Sequence, residues 1–493
     1  MTGFYEIAHT SGMRREAPSL PFLREGNIRE KGMKPVFEKI FQLSKHKTNV
    51  KTEVMAGITT FMTMAYILAV NPAIMSAAGM DKGAVLTATA IAGFLGTVLM
   101  AAFANYPFAL APGMGLNAFF AFTVVKQMGY TWEMALAAVF VEGVIFIVLS
   151  LTNVREAIFN AIPLNLKKAV SAGIGLFICF IGLTGAQIIV GNPATKISLF
   201  SFKQAMMAGT FHTTGITVVL AILGVLFTAF LMVAKVRGNI LWGILFTWIL
   251  GILCEISGLY VPDPAHGAFS TLPDLSAGLA SFAPASISPL IGELDFSQVA
   301  TFNFVVVLLA FLFVDVFDTL GTLIGVAAKA NMLDDEGRLP RIKGALMADA
   351  VATTAGAVLG VSTTTTYVES AAGVSEGGRT GLTAMTVAVL FILSLFLSPF
   401  FMAIPAFATA PALITVGFLM FTAVSGIDFA DMTEAIPCYL AIIAMPFAYS
   451  IAEGISFGVI SYVIINALAG KTEKISPLMY ILTVLFILKY ILL

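Results

Sequence analysis

Apolar runs of about 20 residues, the length a helix needs to cross the hydrocarbon core of a bilayer, follow one another from residue 54 to residue 470 with short polar breaks between them. They predict membrane-spanning helices near residues 54–75, 84–103, 113–126, 132–151, 169–190, 214–234 and 239–257, and again near 301–327, 344–360, 368–376, 381–402, 404–424, 436–452 and 454–470. The pattern is that of an all-α polytopic membrane protein with about fourteen transmembrane segments. The last two are short; if they are one bent helix, the apolar tail at 478–493 is a span of its own, and otherwise it lies along the membrane or on neighbouring helices.

Charge placement tests this count. With the N-terminus inside, the inner loops and tail carry Arg155, Lys167, Lys168, Lys235, Arg237, Lys329, Arg338, Arg341, Lys343, Arg379, Lys471 and Lys474, while the outer loops carry only Lys82, Lys126, Lys196 and Lys203. That asymmetry is the positive-inside pattern, and it predicts a multi-pass protein of the plasma (inner) membrane with both termini cytoplasmic. The first 50 residues are basic and hold no long apolar run, so they read as a cytoplasmic tail and not as a secretory signal. Within that tail MKPVFEKIFQLSKHK has the character of a natural amphipathic start. Translation is expected to begin at Met33 instead of Met1, with residues 1–32 untranslated.

Composition narrows the classes further. The chain of 493 residues is 58% hydrophobic and 11% charged, with a mean hydropathy of +0.94, far outside the range of soluble domains. A net charge of -1 offers no basic surplus for a nucleic-acid backbone. Cys179, Cys254 and Cys438 fall in apolar runs without metal-ligand spacing and read as small buried hydrophobes. His9, His46, His212 and His266 all lie outside the predicted spans, so no histidine relay, metal site or cofactor is expected there, and any protonation must run through carboxylates.

The two sets of seven look like copies. GAVLTATAIAG at 83–93 resembles GALMADAVATT at 344–354, and each precedes a run that is a poor helix. In the first half, Pro107, Pro112, Gly113 and Gly115 interrupt the helix. In the second, the β-branched run Thr363–Thr366 favours a strand. An odd number of spans per half inverts the second copy, which predicts a 7+7 inverted repeat with two short strands in broken segments 3 and 10 and a site near the midplane. Extended backbone at that depth must be paired inside the protein.

Four acids lie in apolar stretches: Glu142, Asp315, Asp318 and Glu369. A carboxylate at the bilayer centre costs about 3 kcal/mol on insertion scales, so such residues usually face a cavity and handle a substrate or a proton. Glu369 and Asn117 fall at the starts of the two expected half-helices. A carboxylate with two acceptors and an amide that both donates and accepts can read the edge of a purine base. Asp315 and Asp318 are three apart on one helix face, and two carboxylates this close in a low dielectric do not readily both ionise, which suits them to loading a proton. Phe119, Phe120, Phe317 and Tyr367 adjoin the site as candidates for stacking on a flat base. Glu142, mid-span with no broken backbone expected nearby, and Asp349, near a helix start, read as structural. Asn71-Pro72 reads as a kink, and the hydroxyls of residues 362–366 as backbone partners first.

The strings ITTFMTMAYILAVNP, FALAPGMGLNAFFAF, FVDVFDTLGTLIGVA and STTTTYVESAAGVSEGGRTGLTA resemble, in order and spacing, the AzgA-like purine permeases of the nucleobase-cation symporters, from about residue 34 to the C-terminus. The resemblance implies a core domain of spans 1–4 and 8–11 and a gate domain of spans 5–7 and 12–14. On this chain these are residues 51–165 and 301–402 for the core and 166–257 and 403–470 for the gate. A cytoplasmic tail (1–50), an outer loop (258–300) and a C-terminal tail or peripheral helix (471–493) complete the division. It also implies base-binding residues at Asn117, Asp315 and Glu369, a part in proton symport for Asp318, and dimerisation through the gate domain. Guanine, hypoxanthine and adenine stay open as substrates, and carboxylates alone leave sodium open as the coupling ion. Two other readings compete: an anion transporter of the same fold class, against which the acids Glu369 and Asp315 argue, and an intramembrane aspartyl protease. A protease needs its aspartates on facing helices, and Asp315 and Asp318 share one.

Overall fold

The structure, a computed structural model, describes residues 34–151, 162–263, 268–276, 278–329, 332–333 and 339–492. The expectations at Met33, His9, His266, Arg155 and Arg338 lie outside the described residues. Among those described, ten helices are long and apolar enough to cross a membrane. They are Val50–Ser76 (span 1), Lys82–Phe103 (2), Trp132–Ser150 (4), Leu164–Gly185 (5), Phe211–Val233 (6), Asn239–Ile256 (7), Ile342–Leu359 (9), Gly381–Ala403 (11), Ala406–Gly426 (12) and Ile451–Leu468 (14). Phe302–Lys329 (span 8), Met432–Phe447 (span 13) and two broken segments bring the number to fourteen.

Sequence marks where these helices start. Asn49, Asp81, Thr131, Thr380, Asp431 and Ser450 are N-caps whose side chains accept from a backbone N–H of the first turn. Span 5 begins at Leu164, five residues before the apolar run predicted it, because Pro163 sets the start and Lys167 and Lys168 ride in its first turns. It ends at Gly185, and Ile189–Asn192 and Lys196–Leu199 form an antiparallel hairpin where the sequence predicts the end of a span. Tyr449, at a positive φ of 55°, separates spans 13 and 14. They are therefore two helices and not one bent one.

The tail forms a helix, Pro477–Leu492, packed on span 14. Its Tyr490 hydroxyl donates to Glu453 in the first turn of span 14 and meets Ser456. The last helix thus runs back along span 14, with Tyr490 beside the first turns of that span.

Other local expectations change. Pro72 lies inside a helix, Ile67–Ser76; span 1 breaks earlier, at Ala65–Tyr66. Asn71 donates to Thr89 Oγ1 (2.8 Å). Cys438 is buried, but Cys179 and Cys254 are only partly so. His212 belongs to the first turn of span 6, where its Nδ1 lies 2.9 Å from Leu259 O.

The helices pack in two groups. Span 2 lies against spans 1, 9 and 11, and span 4 against spans 8 and 9; separately, span 5 lies against spans 12 and 13, span 12 against 6 and 7, and span 13 against 14. Helices in lipid associate through close packing of small residues. At Gly175 and Gly417 a Cβ on either would come within 2.5 Å of the other's carbonyl oxygen, so spans 5 and 12 meet backbone to backbone. Outward faces of the second group carry exposed Leu226, Phe230, Val233 and Leu253, as a lipid-facing surface does.

Candidate functional site

The broken segments meet inside the first group. Leu110–Pro112 (β1) pairs antiparallel with Thr364–Thr366 (β4), Leu110 opposite Thr366 and Pro112 opposite Thr364. This is the pair of strands that the Pro/Gly and threonine runs predict. Buried backbone must find partners, and it does. Gly113 N–H donates to Thr363 O and Tyr367 N–H to Ala109 O, both at 2.9 Å. The Thr97 hydroxyl accepts from Leu110 N–H (3.0 Å), Ser370 Oγ accepts from Ala109 N–H (3.0 Å), and Thr353 donates to Thr364 O (3.0 Å).

Each strand leads into a short helix. Gly113 caps Met114–Ala118, which continues as wide π-helical turns through Phe119–Gln127; Glu369 caps Ser370–Ser375. A Cβ on Gly113 would come within 2.6 Å of Thr365 Cγ2 and 3.4 Å of Asp318 Oδ2, so the glycine lets span 8 and β4 close on the first helix start.

Glu369 and Asp318 are partly accessible, and their charges act on each other across this junction. Tyr66, at the break in span 1, donates its hydroxyl to Glu369 Oε1 at 2.7 Å. Tyr367 is buried and donates to Pro112 O at 2.6 Å. Both phenols lie in the field of both carboxylates. Among the described residues Asp318 forms no hydrogen bond, and its Oδ2 lies beside Gly113.

The other candidates are placed differently. Asn117 is fully buried; its Oδ1 accepts from the Ser362 hydroxyl and its Nδ2 donates to Pro112 O at 3.3 Å. Asp315 is fully buried beneath β4, accepting from Thr319 Oγ1 at 2.8 Å. Phe119 stacks edge-on against Phe311 with centroids 4.8 Å apart. It also walls a cavity of about 250 Å³ with Gln127, Val307, Ala310 and Glu453, between spans 3, 8 and 14. Phe120 is buried beside Phe311 as well. The side chain of Phe317 lies outside the described ones.

Glu142 overturns one premise of the sequence reading, that no broken backbone lies near it. Its carboxylate accepts from the Thr363 hydroxyl at 2.9 Å, so it does reach the broken segment. Three residues that the pattern hides matter here: Tyr66, which reads as one more aromatic of span 1; Thr319, which bridges Asp315, Asp349 and Thr365; and Glu53, buried at the start of span 1. Only Glu53 had a visible signal, a carboxylate close to an apolar run.

A sequence model of the permease family matches residues 51–457. The chain belongs to the permease family. It is a multi-pass membrane transport protein and not an enzyme. This permease is 46% identical over 454 residues to a protein of Methanocaldococcus jannaschii named only as a permease, covering 92% of this chain and 98% of that one. It is 43% identical over 456 residues to the guanine/hypoxanthine permease PbuO of Bacillus subtilis (91% and 99% covered). With the adenine permease AdeP of Escherichia coli it shares 39% identity over 456 residues (92% and 96%).

Solved structures with the same fold include the transmembrane domain of the cyanobacterial bicarbonate transporter BicA, with a TM-score of 0.57 at 15% identity, covering 85% of this permease and 97% of that chain. The murine Solute Carrier 26 family member A9 anion transporter aligns with a TM-score of 0.59 at 10% identity (91% and 74%). At these identities the likeness is one of fold: a permease of core and gate domains built as a 7+7 inverted repeat around two short strands.

Proposed function

We propose that this permease imports a purine nucleobase by proton symport, with the base held where the two broken segments meet. The observation that carries the reading is the Tyr66–Glu369 pair facing Asp318 across the strand junction. Its setting supports it: the named relatives carry guanine, hypoxanthine or adenine. Glu369 offers acceptors to the N–H groups of a purine edge, and Asn117 and Asp315 complete the site from beneath, at the strand crossing. Asp318, with no hydrogen-bond partner among the described residues, is the group that exchanges a proton with the junction. Tyr367 and Phe119 bound the space for a flat ring.

Spans 1–4 and 8–11 form the core that carries the site, and spans 5–7 and 12–14 the gate. Sliding of one against the other, along the cavity between spans 3, 8 and 14, exposes the base to each side in turn. The acidic junction disfavours the anion-transport reading, since two carboxylates repel an anion. The membrane is the plasma membrane, with the N-terminus inside.

The test is uptake of labelled hypoxanthine by cells lacking their own purine permeases, with unlabelled guanine, adenine, xanthine and uracil as competitors, before and after the proton gradient is collapsed. Saturable uptake that falls on uncoupling and is competed by purines is the expected result. Well-expressed protein that takes up no purine overturns the substrate; uptake indifferent to the proton gradient but dependent on sodium overturns the coupling ion.

A further inference from the structure

We infer that Asp315, Thr319 and Asp349 share a single proton, and that Asp349 is a positioning residue for Asp315. All three are fully buried. Thr319 Oγ1 lies 2.8 Å from Asp315 Oδ1, 3.0 Å from Asp349 Oδ1 and 2.7 Å from Thr365 Oγ1. A hydroxyl donates one proton and accepts two. If Thr319 donates to one carboxylate, the oxygen of the other, at hydrogen-bond distance, must carry a proton of its own and donate it to Thr319. If Thr319 donates to Thr365 instead, both carboxyls must be protonated. Every arrangement that makes each of the three contacts a two-centre hydrogen bond therefore needs at least one protonated aspartate. Repulsion between two ionised carboxylates around one buried hydroxyl acts in the same direction.

The arrangement also moves the proton without gaining or losing one. In one state Asp315 is protonated and donates to Thr319 Oγ1, whose hydroxyl donates to ionised Asp349. When the Asp315 proton passes to Thr319 and the Thr319 proton passes to Asp349, Asp315 becomes the ionised acceptor. Thr365 donates to the remaining Thr319 lone pair in both states. Asp315 can thus change from a neutral carboxyl to a carboxylate, a stronger acceptor for a bound base, while the net charge of the cluster stays constant. This last role rests on the reading of Asp315 as a purine ligand; the shared proton does not. Among the described residues the titratable groups near the cluster include Asp318 on the same helix and Glu369 on span 10, both in electrostatic contact with this region, and Glu142 on span 4 through its bond to Thr363.

Infrared difference spectroscopy on the full-length protein in H2O and D2O tests the proton directly. A protonated-carboxyl band is expected at neutral pH, present in the wild type, Asp318→Asn and Glu142→Gln and lost in Asp349→Asn and Asp315→Asn; an Asp349→Asn spectrum identical to wild type overturns the inference. Hypoxanthine binding tests the positioning role. Asn at 349 keeps a donor for Thr319, so Asp349→Asn should bind within about threefold of wild type. Asp349→Ala and Thr319→Val should each weaken binding about tenfold, the factor one lost buried hydrogen bond brings. Failure of Asn to rescue relative to Ala refutes the role. A wild type that binds no purine refutes the functional reading alone, because the infrared band decides the proton independently.

Discussion

Tyr66 donates its phenolic proton to the Glu369 carboxylate across 2.7 Å, joining the break in span 1 to the cap of the second half-helix. The two residues are 303 positions apart in sequence. The bond fixes which Glu369 oxygen the phenol takes, and on the proposed reading it orients the carboxylate toward the base. A hydrogen bond to a charged group contributes about 1.5–3 kcal/mol, so Tyr66→Phe should weaken purine affinity roughly tenfold or more while leaving the fold intact. Equilibrium binding alongside thermal unfolding checks this. Unchanged affinity would mean that Glu369 is oriented by something other than Tyr66.

Glu369 is hydrogen-bonded by Tyr66 and Asp318 has no hydrogen bond among the described residues, and this difference predicts different phenotypes. Glu369→Gln replaces one acceptor oxygen with a donor and should weaken binding of the base. Asp318→Asn removes the titratable group without touching a hydrogen bond, so binding should persist while accumulation against a gradient is lost. Measuring binding and accumulation for both variants separates the roles; equal binding losses in the two would defeat the assignment.

Much of this architecture is legible in the sequence because lipid enforces it. Spans announce themselves as apolar runs, and the strand pair announces itself where Pro112, Gly113 and four threonines make a helix costly. Acids inside spans are conspicuous because few are tolerated. What pattern does not carry is contact across the inverted halves. Tyr66 looks like any aromatic of an apolar helix until Glu369 is placed beside it. Thr319 looks like a helix threonine until Asp349 and Thr365 converge on it, and Glu142 looks isolated until Thr363 is brought across from the other half. Span ends shifted for a related reason: Lys167 and Lys168 hid the first turn of span 5, since long basic side chains reach the interface from inside a helix.

Gly113 is a packing requirement and not a conformational one, since its φ of -69° suits any residue. Gly113→Ala places a methyl 2.6 Å from Thr365 Cγ2. The strand pair and span 8 must then separate, and overpacking of this kind costs about 1–3 kcal/mol. Loss of uptake with a lowered unfolding temperature is expected, and Gly113→Ala combined with Thr365→Ser, which removes the opposing methyl, should restore part of both. No recovery in the double variant would place the damage elsewhere.

Glu53 holds the turn that follows the second half-helix. Its carboxylate accepts from Arg379 N–H at 2.9 Å, Thr380 N–H at 3.2 Å and Thr383 N–H at 3.3 Å, and from the hydroxyls of Thr380 (2.9 Å) and Thr383 (2.6 Å). A fully buried carboxylate so enclosed ties the start of span 1 to the start of span 11. Glu53→Ala strands three backbone donors, each left unpaired at about 1–3 kcal/mol, whereas Glu53→Gln keeps one acceptor oxygen in place. The alanine variant should therefore unfold at a clearly lower temperature than the glutamine variant, with wild type above both. Since the same turn seats the helix that Glu369 caps, purine affinity should fall in that same order. An alanine variant that unfolds with the wild type would show that water replaces the carboxylate and that the turn is held by its neighbours instead.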